Sequence, residues 1–211
     1  MLVSDTRRPE DLQAALADLG GLSVEVECAG HSDRVLEADL VVLSPGVSVH
    51  HPLVRRALAR ELPVMGEVEV AWRLSPQPFV AVTGTNGKST TATLIHRMLG
   101  ARSILAGNIG TPLVSEVAGA PSGGFVVAEV SSFQLETVHA FRPLVAVLTN
   151  ITPDHLDRHA DLDEYFAAKA RLFARQGPGD VAVISADDPE ADRMARFLEE
   201  GHLPAWLPGF P

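Results

Sequence analysis

Residues 79–90 read FVAVTGTNGKST and decide the fold of this chain. The run Phe79–Thr83 predicts a buried strand, and Ser89–Leu99 predicts a helix directly after a glycine-containing turn. Glycines let the backbone fold around phosphate oxygens, and the following helix aims its first N–H groups at the same place. Lys88 adds a cation, and Ser89 adds a hydroxyl suited to Mg²⁺. The stretch therefore predicts a nucleoside triphosphate site.

The glycine spacing of this loop differs from that of the common phosphate-binding loop. The common pattern has a glycine five residues before the Gly-Lys pair. Val82 stands at that position here, and the glycine lies at Gly84 instead. A plain Gly-Lys turn that opens a helix is the alternative interpretation. The predicted phosphate-binding residues are Gly84, Thr85, Asn86, Gly87, Lys88, Ser89 and Thr90.

Short runs of Val, Leu and Ala alternate with helical patterns along the whole chain. The predicted strands are Met1–Ser4, Leu40–Ser44, Phe79–Thr83, Phe125–Val130, Leu144–Asn150 and Val181–Ser185. The predicted helices are Pro9–Leu19, Leu53–Glu61, Ser89–Leu99, Leu162–Gln176 and Glu190–Glu200. Near-continuous apolar strands are typical of parallel sheets that are covered on both faces. The chain is therefore predicted to be α/β, with doubly wound parallel sheets.

Two prolines within Ser75–Pro78 favour an extended link and divide the chain in two. We predict a Rossmann-like unit over residues 1–76 and a P-loop ATPase-like unit over residues 77–211. The first unit is expected to be incomplete, since a first strand and a glycine-rich turn should precede Met1. The second unit is expected to be incomplete as well. The unpaired strand edges that this leaves predict self-association of the first unit. No regular element is predicted for Leu203–Pro211.

Composition narrows the function classes. The chain has 211 residues, with 17 Lys and Arg against 27 Asp and Glu, so its formal charge is −10. This balance argues against a nucleic-acid-binding role, because phosphate backbones are bound chiefly by basic residues. No apolar stretch is long enough to cross a bilayer, and the single cysteine, Cys28, excludes an internal disulfide framework. A cytoplasmic protein without membrane insertion is expected.

Polar residues follow several predicted strands, and in parallel sheets ligands bind beyond the carboxyl ends of the strands. Glu129 lies among valines, so a Mg²⁺ ligand and a structural ion pair are its two interpretations. Asp154 and His155 occupy the turn after the next strand. Asn108 lies between two glycines, where turn formation and ligand contact are equally consistent. Lys169 lies on a helix that Asp161 is predicted to cap, with Glu164 as capping-box partner, and its pattern alone favours a solvated lysine.

Several of these motifs resemble those of the Mur ligases and their folylpolyglutamate synthetase relatives. The unusual glycine spacing of residues 84–90, the sequence GNIG at 107–110 and the sequence TPDHLD at 152–157 carry this resemblance. The sequence EVSSFQLE at 129–136, with Asp5-Thr6-Arg7 and Ser44–Val47, most resembles the members that add D-glutamate.

The resemblance implies an ATP-dependent amide ligase of peptidoglycan precursor synthesis. In that reaction ATP converts the carboxylate of UDP-N-acetylmuramoyl-L-alanine into an acyl phosphate, and the amine of D-glutamate attacks it. ATP and Mg²⁺ are the implied cofactors. The family's C-terminal domain, which binds the amino acid, is expected to be absent, so that the chain alone is expected to be weak or inactive. Another ligase of the superfamily and a catalytically silent fragment that only binds nucleotide are the alternatives.

The resemblance also implies residue roles. The implied catalytic residues are Lys88, Asn108, His155 and Lys169. The implied metal ligands are Ser89, Glu129, His155 and Lys169, the last after carbamylation. The implied substrate-binding residues are Asp5, Thr6, Ser131 and Gln134.

Overall fold

The computed structural model describes residues 1–155 and 158–201. The strands are β1 (Leu2–Ser4), β2 (Glu25–Glu27), β3 (Val41–Leu43), β4 (Val64–Gly66), β5 (Phe79–Thr83), β6 (Ser103–Gly107), β7 (Phe125–Glu129), β8 (Val145–Leu148) and β9 (Val181–Ile184). The α-helices are α1 (Gln13–Asp18), α2 (Pro52–Ala59), α3 (Glu67–Leu74), α4 (Lys88–Leu99), α5 (Leu113–Glu116), α6 (Ser132–Leu135), α7 (Leu162–Ala170) and α8 (Pro189–Glu199). Strands and helices alternate along the chain, so the predicted α/β class is confirmed.

A five-stranded sheet forms the centre of the second unit, in the order β6-β7-β5-β8-β9 with every pair parallel. Alternate residues of β5 face opposite sides, as the period of a strand requires. Val80 and Val82 pack with Ala92 of α4 on one side. Phe79 and Ala81 join a larger core on the other side, to which α3, α5, α6, α7 and α8 contribute. Both faces are thus covered by helices, as the apolar strands predicted.

The first unit is built differently, from two separate strand pairs. β1 pairs with β2 and β3 pairs with β4, each in parallel. A cavity of about 570 Å³ is lined by residues of both β1 and β3, together with Val35 and His51 from the segments between. The unit has a small core of its own, formed by buried residues of β3, β4 and α2.

Helix α3 joins the two units. Val68 and Ala71 on this helix lie in the large core beside the five-stranded sheet. The fully buried carboxylate of Glu69 accepts hydrogen bonds from three consecutive backbone N–H groups, those of residues 139, 140 and 141, at 2.9–3.2 Å. Arg73 Nε also donates to it at 2.7 Å. Ser75, after the helix, is extended, as the following proline predicted.

Several predicted boundaries were wrong. The predicted helix Pro9–Leu19 is a 3₁₀ turn over Pro9–Asp11 followed by α1, and α7 ends at Ala170 rather than Gln176. Three short strands, β2, β4 and β6, and helix α3 were not predicted. β2 reads EVE, whereas β4 and β6 end in glycine. These three strands are short or end in glycine, so their sequences give a weak strand signal. Pairing with a neighbouring strand defines each of them.

The cap of α7 is partly as predicted. The side chain of Asp161 accepts from Glu164 N, which confirms the N-cap. Glu164 Oε2 accepts from Ala160 N and not from Asp161 N, so the predicted capping box is absent there. A complete capping box instead opens α6, between Ser131 and Gln134. Among the described residues, none of the helices is both long and apolar enough to cross a membrane. The segment Leu203–Pro211 lies outside the described residues.

Candidate functional site

The carboxyl ends of four neighbouring strands bring the predicted site segments together. Val82 of β5 is in register with Glu129 of β7, and Asn108 N donates to Glu129 O at 2.9 Å. On the other side of β5, Thr149 N donates to Thr83 O at 3.1 Å. The loops after β5, β6, β7 and β8 therefore meet at one edge of the sheet, which is where the topology of a parallel sheet places a ligand.

The loop after β5 is held by the loop after β8. Thr85 N donates to Asn150 O, and Asn86 N donates to Asn150 Oδ1, at 3.0 and 2.9 Å. Thr85 Oγ1 also bonds Thr152 O and the hydroxyl of Tyr165, at 3.1 and 3.2 Å. These contacts hold the first half of the loop by hydrogen bonds within the protein.

The second half of the loop becomes the start of α4. Gly87 is the N-cap, with φ +83°, a conformation that residues with a side chain rarely adopt. The first intrahelical bond runs from Thr91 N to Gly87 O. The N–H groups of residues 87–90 therefore have no acceptor within the helix, and they form a positively polarised end suited to an anion. Lys88 Nζ donates to Thr85 O at 2.7 Å, across the same loop.

Lys169 is buried, contrary to the solvated position that its pattern favoured. It is 1% exposed, its Nζ donates to Gly84 O at 2.9 Å, and it lies 4.3 Å from the centre of the Tyr165 ring. Burial, with the nearby charge of Lys88, lowers the pKa of Lys169 to about 7. Near neutral pH, therefore, a large share of this amine is unprotonated and able to react as a nucleophile.

Glu129 is 2% exposed, and no described cation pairs with it, so the structural ion pair is not what this side chain forms. Its Oε1 accepts from Asn108 Nδ2 at 2.8 Å. Its Oε2 is buried without a hydrogen-bond partner among the described residues. An unsatisfied buried carboxylate oxygen is unfavourable unless a ligand completes it, and a divalent cation is the ligand that its chemistry suits.

His155 lies at the same end of the molecule, in the turn after β8. Its backbone has φ +54°. Its Nε2 lies 3.6 Å from Asp154 Oδ2, and its ring contacts the Phe133 ring, with 4.9 Å between the ring centres. Asp157, from the same sequence motif, lies outside the described residues. No three His, Cys, Asp or Glu side chains cluster closely enough to hold a metal within residues 1–155 and 158–201.

The predicted substrate residues lie in two places. Asp5 and Thr6 follow β1 in the first unit, and the carboxylate of Asp5 bonds Arg7, whose guanidinium and N–H lower the pKa of Asp5 to about 2. Ser131 and Gln134 cap α6, directly after Glu129. Gln134 Nε2 reaches Glu67 Oε2 at 3.5 Å, which connects α6 to the start of α3.

Three residues that support the loop were not singled out as site residues by sequence reasoning: Thr149, Asn150 and Tyr165. Asn150 and Thr149 end the apolar run of β8, so polar residues following a buried strand were the available signal. Nothing in the pattern of α7 marks Tyr165, because its role depends on its hydrogen bond with Thr85, which is 80 positions away in sequence.

Comparison with known proteins places these features in a family. Residues 82–210 match the Mur ligase middle domain, and residues 1–66 match the N-terminal domain of MurD-like Mur ligases. The chain is similar to the UDP-N-acetylmuramoylalanine–D-glutamate ligases of Pelotomaculum thermopropionicum and Syntrophotalea carbinolica. It is 48% identical to the first over 195 residues and 46% identical to the second over 206 residues. The alignments cover 90% and 96% of this chain but only 43% and 45% of those proteins. The chain thus spans less than half the length of these relatives.

Solved structures agree on the fold. The UDP-N-acetylmuramate:L-alanyl-gamma-D-glutamyl-meso-diaminopimelate ligase from Neisseria meningitides superposes with a TM-score of 0.59 and 20% identity, over 98% of this chain and 68% of that one. The UDP-N-acetylmuramate-alanine ligase of Thermotoga maritima gives a TM-score of 0.50 and 22% identity, over 92% of this chain and 45% of that one. Since the middle-domain match alone covers more than half of the residues and includes the loop, Glu129 and Lys169, this chain belongs to the Mur ligase family.

Proposed function

We propose that this chain carries the nucleotide-binding part and a portion of the substrate-binding part of a D-glutamate-adding ligase of peptidoglycan precursor synthesis. The observation that carries the proposal is the convergence of two lysines on one glycine loop. Lys88 Nζ donates to Thr85 O and Lys169 Nζ donates to Gly84 O, so two amino groups approach adjacent peptide groups of the loop, and the charge of Lys88 lies where an anion is expected. We assign residues 1–76 to a partial UDP-substrate domain and residues 77–211 to a partial ATP-binding domain.

ATP is the nucleotide that this loop is suited to bind. The free N–H groups at the start of α4 face the phosphates, and Lys88 moves from Thr85 O to the terminal phosphate oxygens. The loop members Gly84, Thr85, Asn86, Gly87, Lys88, Ser89 and Thr90 together form this cradle. Phosphoryl transfer to a carboxylate brings two anions together, so positive charge from Lys88 lowers the barrier directly.

Mg²⁺ fits the residues at this edge. The unpartnered Oε2 of Glu129 and the hydroxyl of Ser89 are oxygen ligands of the kind that Mg²⁺ prefers, and His155 is proposed for a second ion. When bound, Mg²⁺ screens the negative charge of the phosphates and the reacting carboxylate. The described carboxylate and imidazole side chains do not complete the ligand set of Mg²⁺. Phosphate oxygens and a modified Lys169 are proposed to supply the remaining ligands.

Lys169 is proposed to carry a carbamate. The neutral amine attacks CO₂, a C–N bond forms, and the nitrogen loses a proton to solvent, which leaves an anionic oxygen pair in place of a cation. The pKa of about 7 favours this step, since it keeps the amine unprotonated. The product is a carboxylate-like metal ligand at a position where the unmodified lysine repels metals.

The proposed substrates are UDP-N-acetylmuramoyl-L-alanine and D-glutamate. Asp5 and Thr6 are proposed to face the uracil, and Ser131 and Gln134 to approach the sugar-peptide portion. Asn108, held by Glu129, is proposed to contact the carboxylate that receives the phosphoryl group. The neutral amine of D-glutamate then attacks the carbonyl carbon of the acyl phosphate, a C–N bond forms, phosphate leaves with the electrons of the broken C–O bond, and the nitrogen loses a proton to solvent.

Calorimetry with Mg·ATP tests the nucleotide assignment. We expect Lys88→Ala to weaken ATP binding at least tenfold, because it removes the cation from the cradle. Arg97→Ala is the matched control, since Arg97 is an exposed cation on the same helix, far from its N-terminus. Equal affinity of the Lys88→Ala variant and the parent would show that the loop is not the phosphate site.

A further inference from the structure

The peptide group between Asn86 and Gly87 is held in one orientation by two side chains of the loop after β8. Thr149 Oγ1 donates to Asn86 O at 2.7 Å, and Asn150 Nδ2 donates to the same oxygen at 3.0 Å. Asn150 Oδ1 accepts from Asn86 N at 2.9 Å. The Asn150 amide thus binds both polar backbone groups of Asn86, while Thr149 adds a third bond.

The orientation of this carbonyl sets the orientation of the next N–H. The C=O and N–H of a planar trans peptide point in opposite directions. Because Asn86 O points toward Thr149 and Asn150, Gly87 N–H points away from them, to the side where the free N–H groups of α4 begin. We propose that Thr149 and Asn150 are positioning residues that keep the Gly87 N–H turned toward the terminal phosphates of the nucleotide. This inference rests on the proposed function.

The peptide needs such a support because of its glycine. Gly87 has no side chain to restrict φ, so the Asn86–Gly87 peptide can rotate more easily than its neighbours. In the reversed orientation, the Asn86 carbonyl oxygen faces the phosphates and repels them, and one N–H donor is lost. Two hydrogen bonds to Asn86 O oppose that rotation directly, and the bond from Asn86 N holds the preceding peptide, so the loop is preorganised for an anion before any nucleotide binds.

The close approach at Gly84 supports the same arrangement. A Cβ placed on Gly84 meets Thr149 Oγ1 at 1.9 Å, and Asn150 N and O at 3.2 Å. A residue other than glycine here therefore displaces the Thr149 hydroxyl from the loop. Gly84, the glycine at the unusual position in this loop, thus leaves room for the Thr149 side chain, which orients the Asn86 carbonyl.

The test compares Thr149→Val, Thr149→Ser and the double variant Thr149→Val/Asn150→Ala in the full chain. Valine has nearly the shape of threonine but lacks the hydroxyl, whereas serine keeps it. We expect the double variant to bind Mg·ATP at least tenfold more weakly, Thr149→Val several-fold more weakly, and Thr149→Ser as the parent does. The amide signal of Gly87, in nitrogen–proton correlation spectra without nucleotide, is expected to shift in Thr149→Val and to return in Thr149→Ser. A purely structural role predicts a loss of thermal stability without this selective shift.

The outcomes separate the inference from the proposed function. If Lys88→Ala and the parent bind ATP equally, the nucleotide site is wrong and the inference fails with it. If binding depends on Lys88 but the double variant binds as the parent does, the function stands and the positioning role is overturned. An unchanged Gly87 amide in Thr149→Val overturns that role even if the double variant does not fold.

Discussion

The two halves of this chain use the same parallel-strand pairing with different degrees of burial. In the five-stranded sheet, the central valine of β7, Val127, is fully buried between neighbouring strands and helix α4. In the first unit the corresponding central valine of β3, Val42, is 53% exposed, and among the described strands β3 pairs only with β4. Val127 is buried because helices cover both faces of the five-stranded sheet and because β7 has a neighbouring strand on each side. Val42 lies in a pair of two strands.

The comparison shows where this chain can hold reacting groups accurately. The glycine loop of residues 84–90, Glu129, Asn108 and Lys169 all lie beside β5 and β7, which are almost entirely buried. Asp5 and Thr6 depend on β1, which has no buried residue. Groups that must be aligned within a fraction of an ångström belong on rigid elements. The buried strands β5 and β7 provide such support for the loop and for Glu129.

The largest expected effect of a single substitution on stability is on α3, the helix that joins the two units. Glu69→Ala removes the acceptor of the backbone N–H groups of residues 139–141, two of them buried and one half-buried, and we expect it to lower the free energy of unfolding by about 3 kcal/mol. Denaturant unfolding measures this change. Glu199→Ala, at an exposed position on α8, serves as control and is expected to stay within about 0.5 kcal/mol of the parent. A similar small effect for Glu69→Ala would show that the hydrogen bonds to its carboxylate contribute little to stability.

The next effect is a pH dependence that arises in the second unit. The folded pKa of Lys169 is about 7, below its ordinary value of 10.5, so the folded chain binds fewer protons between these values. Stability is therefore expected to rise as pH increases from about 7 toward 10, by at most about 1.4 kcal/mol per pH unit. Lys169→Met removes this contribution. Denaturant unfolding at several pH values, without added bicarbonate, compares the two slopes, and identical slopes would contradict the burial of a neutral lysine.

A matched pair of substitutions tests the contrast in burial directly. We expect Val127→Ala to destabilise the chain by about 1–2 kcal/mol, because it leaves a cavity in a closed core. Val42→Ala is expected to change stability by less than about 0.5 kcal/mol, since half of that side chain already contacts solvent. Thermal and denaturant unfolding give both values. Equal effects would mean that the first unit is as tightly packed as the second.

The smallest effect concerns association. Among the described residues, β1 and β3 each have one edge that no strand covers, so we predict that the first unit self-associates. Size-exclusion chromatography over a range of concentrations should show weak, concentration-dependent dimers, and Val42→Lys should reduce them by placing a charge at the edge. A monomer at all concentrations would contradict the prediction.

Sequence reasoning was most successful where one segment carries its own signal. β5 was predicted with its observed bounds, and the turn into α4 follows from glycines and a lysine that are close in sequence. Lys169 shows the opposite case. Its helix pattern favours solvent, and its burial results from Gly84 and Tyr165, the first of them 85 positions away. Strands β2, β4 and β6 were missed because pairing, not composition, defines them.

The sequence by itself determined the α/β class, the glycine-containing turn into α4 and the family, because strand-helix alternation and glycine spacing are local properties of the chain. Only the tertiary structure decided how the loop is supported, which oxygen of Glu129 is unpartnered and why Lys169 has a lowered pKa. Each of these depends on groups that meet only when parallel strands bring their carboxyl ends to one edge. Hydrogen bonds and burial between distant segments have no counterpart in a local pattern, since they arise from packing.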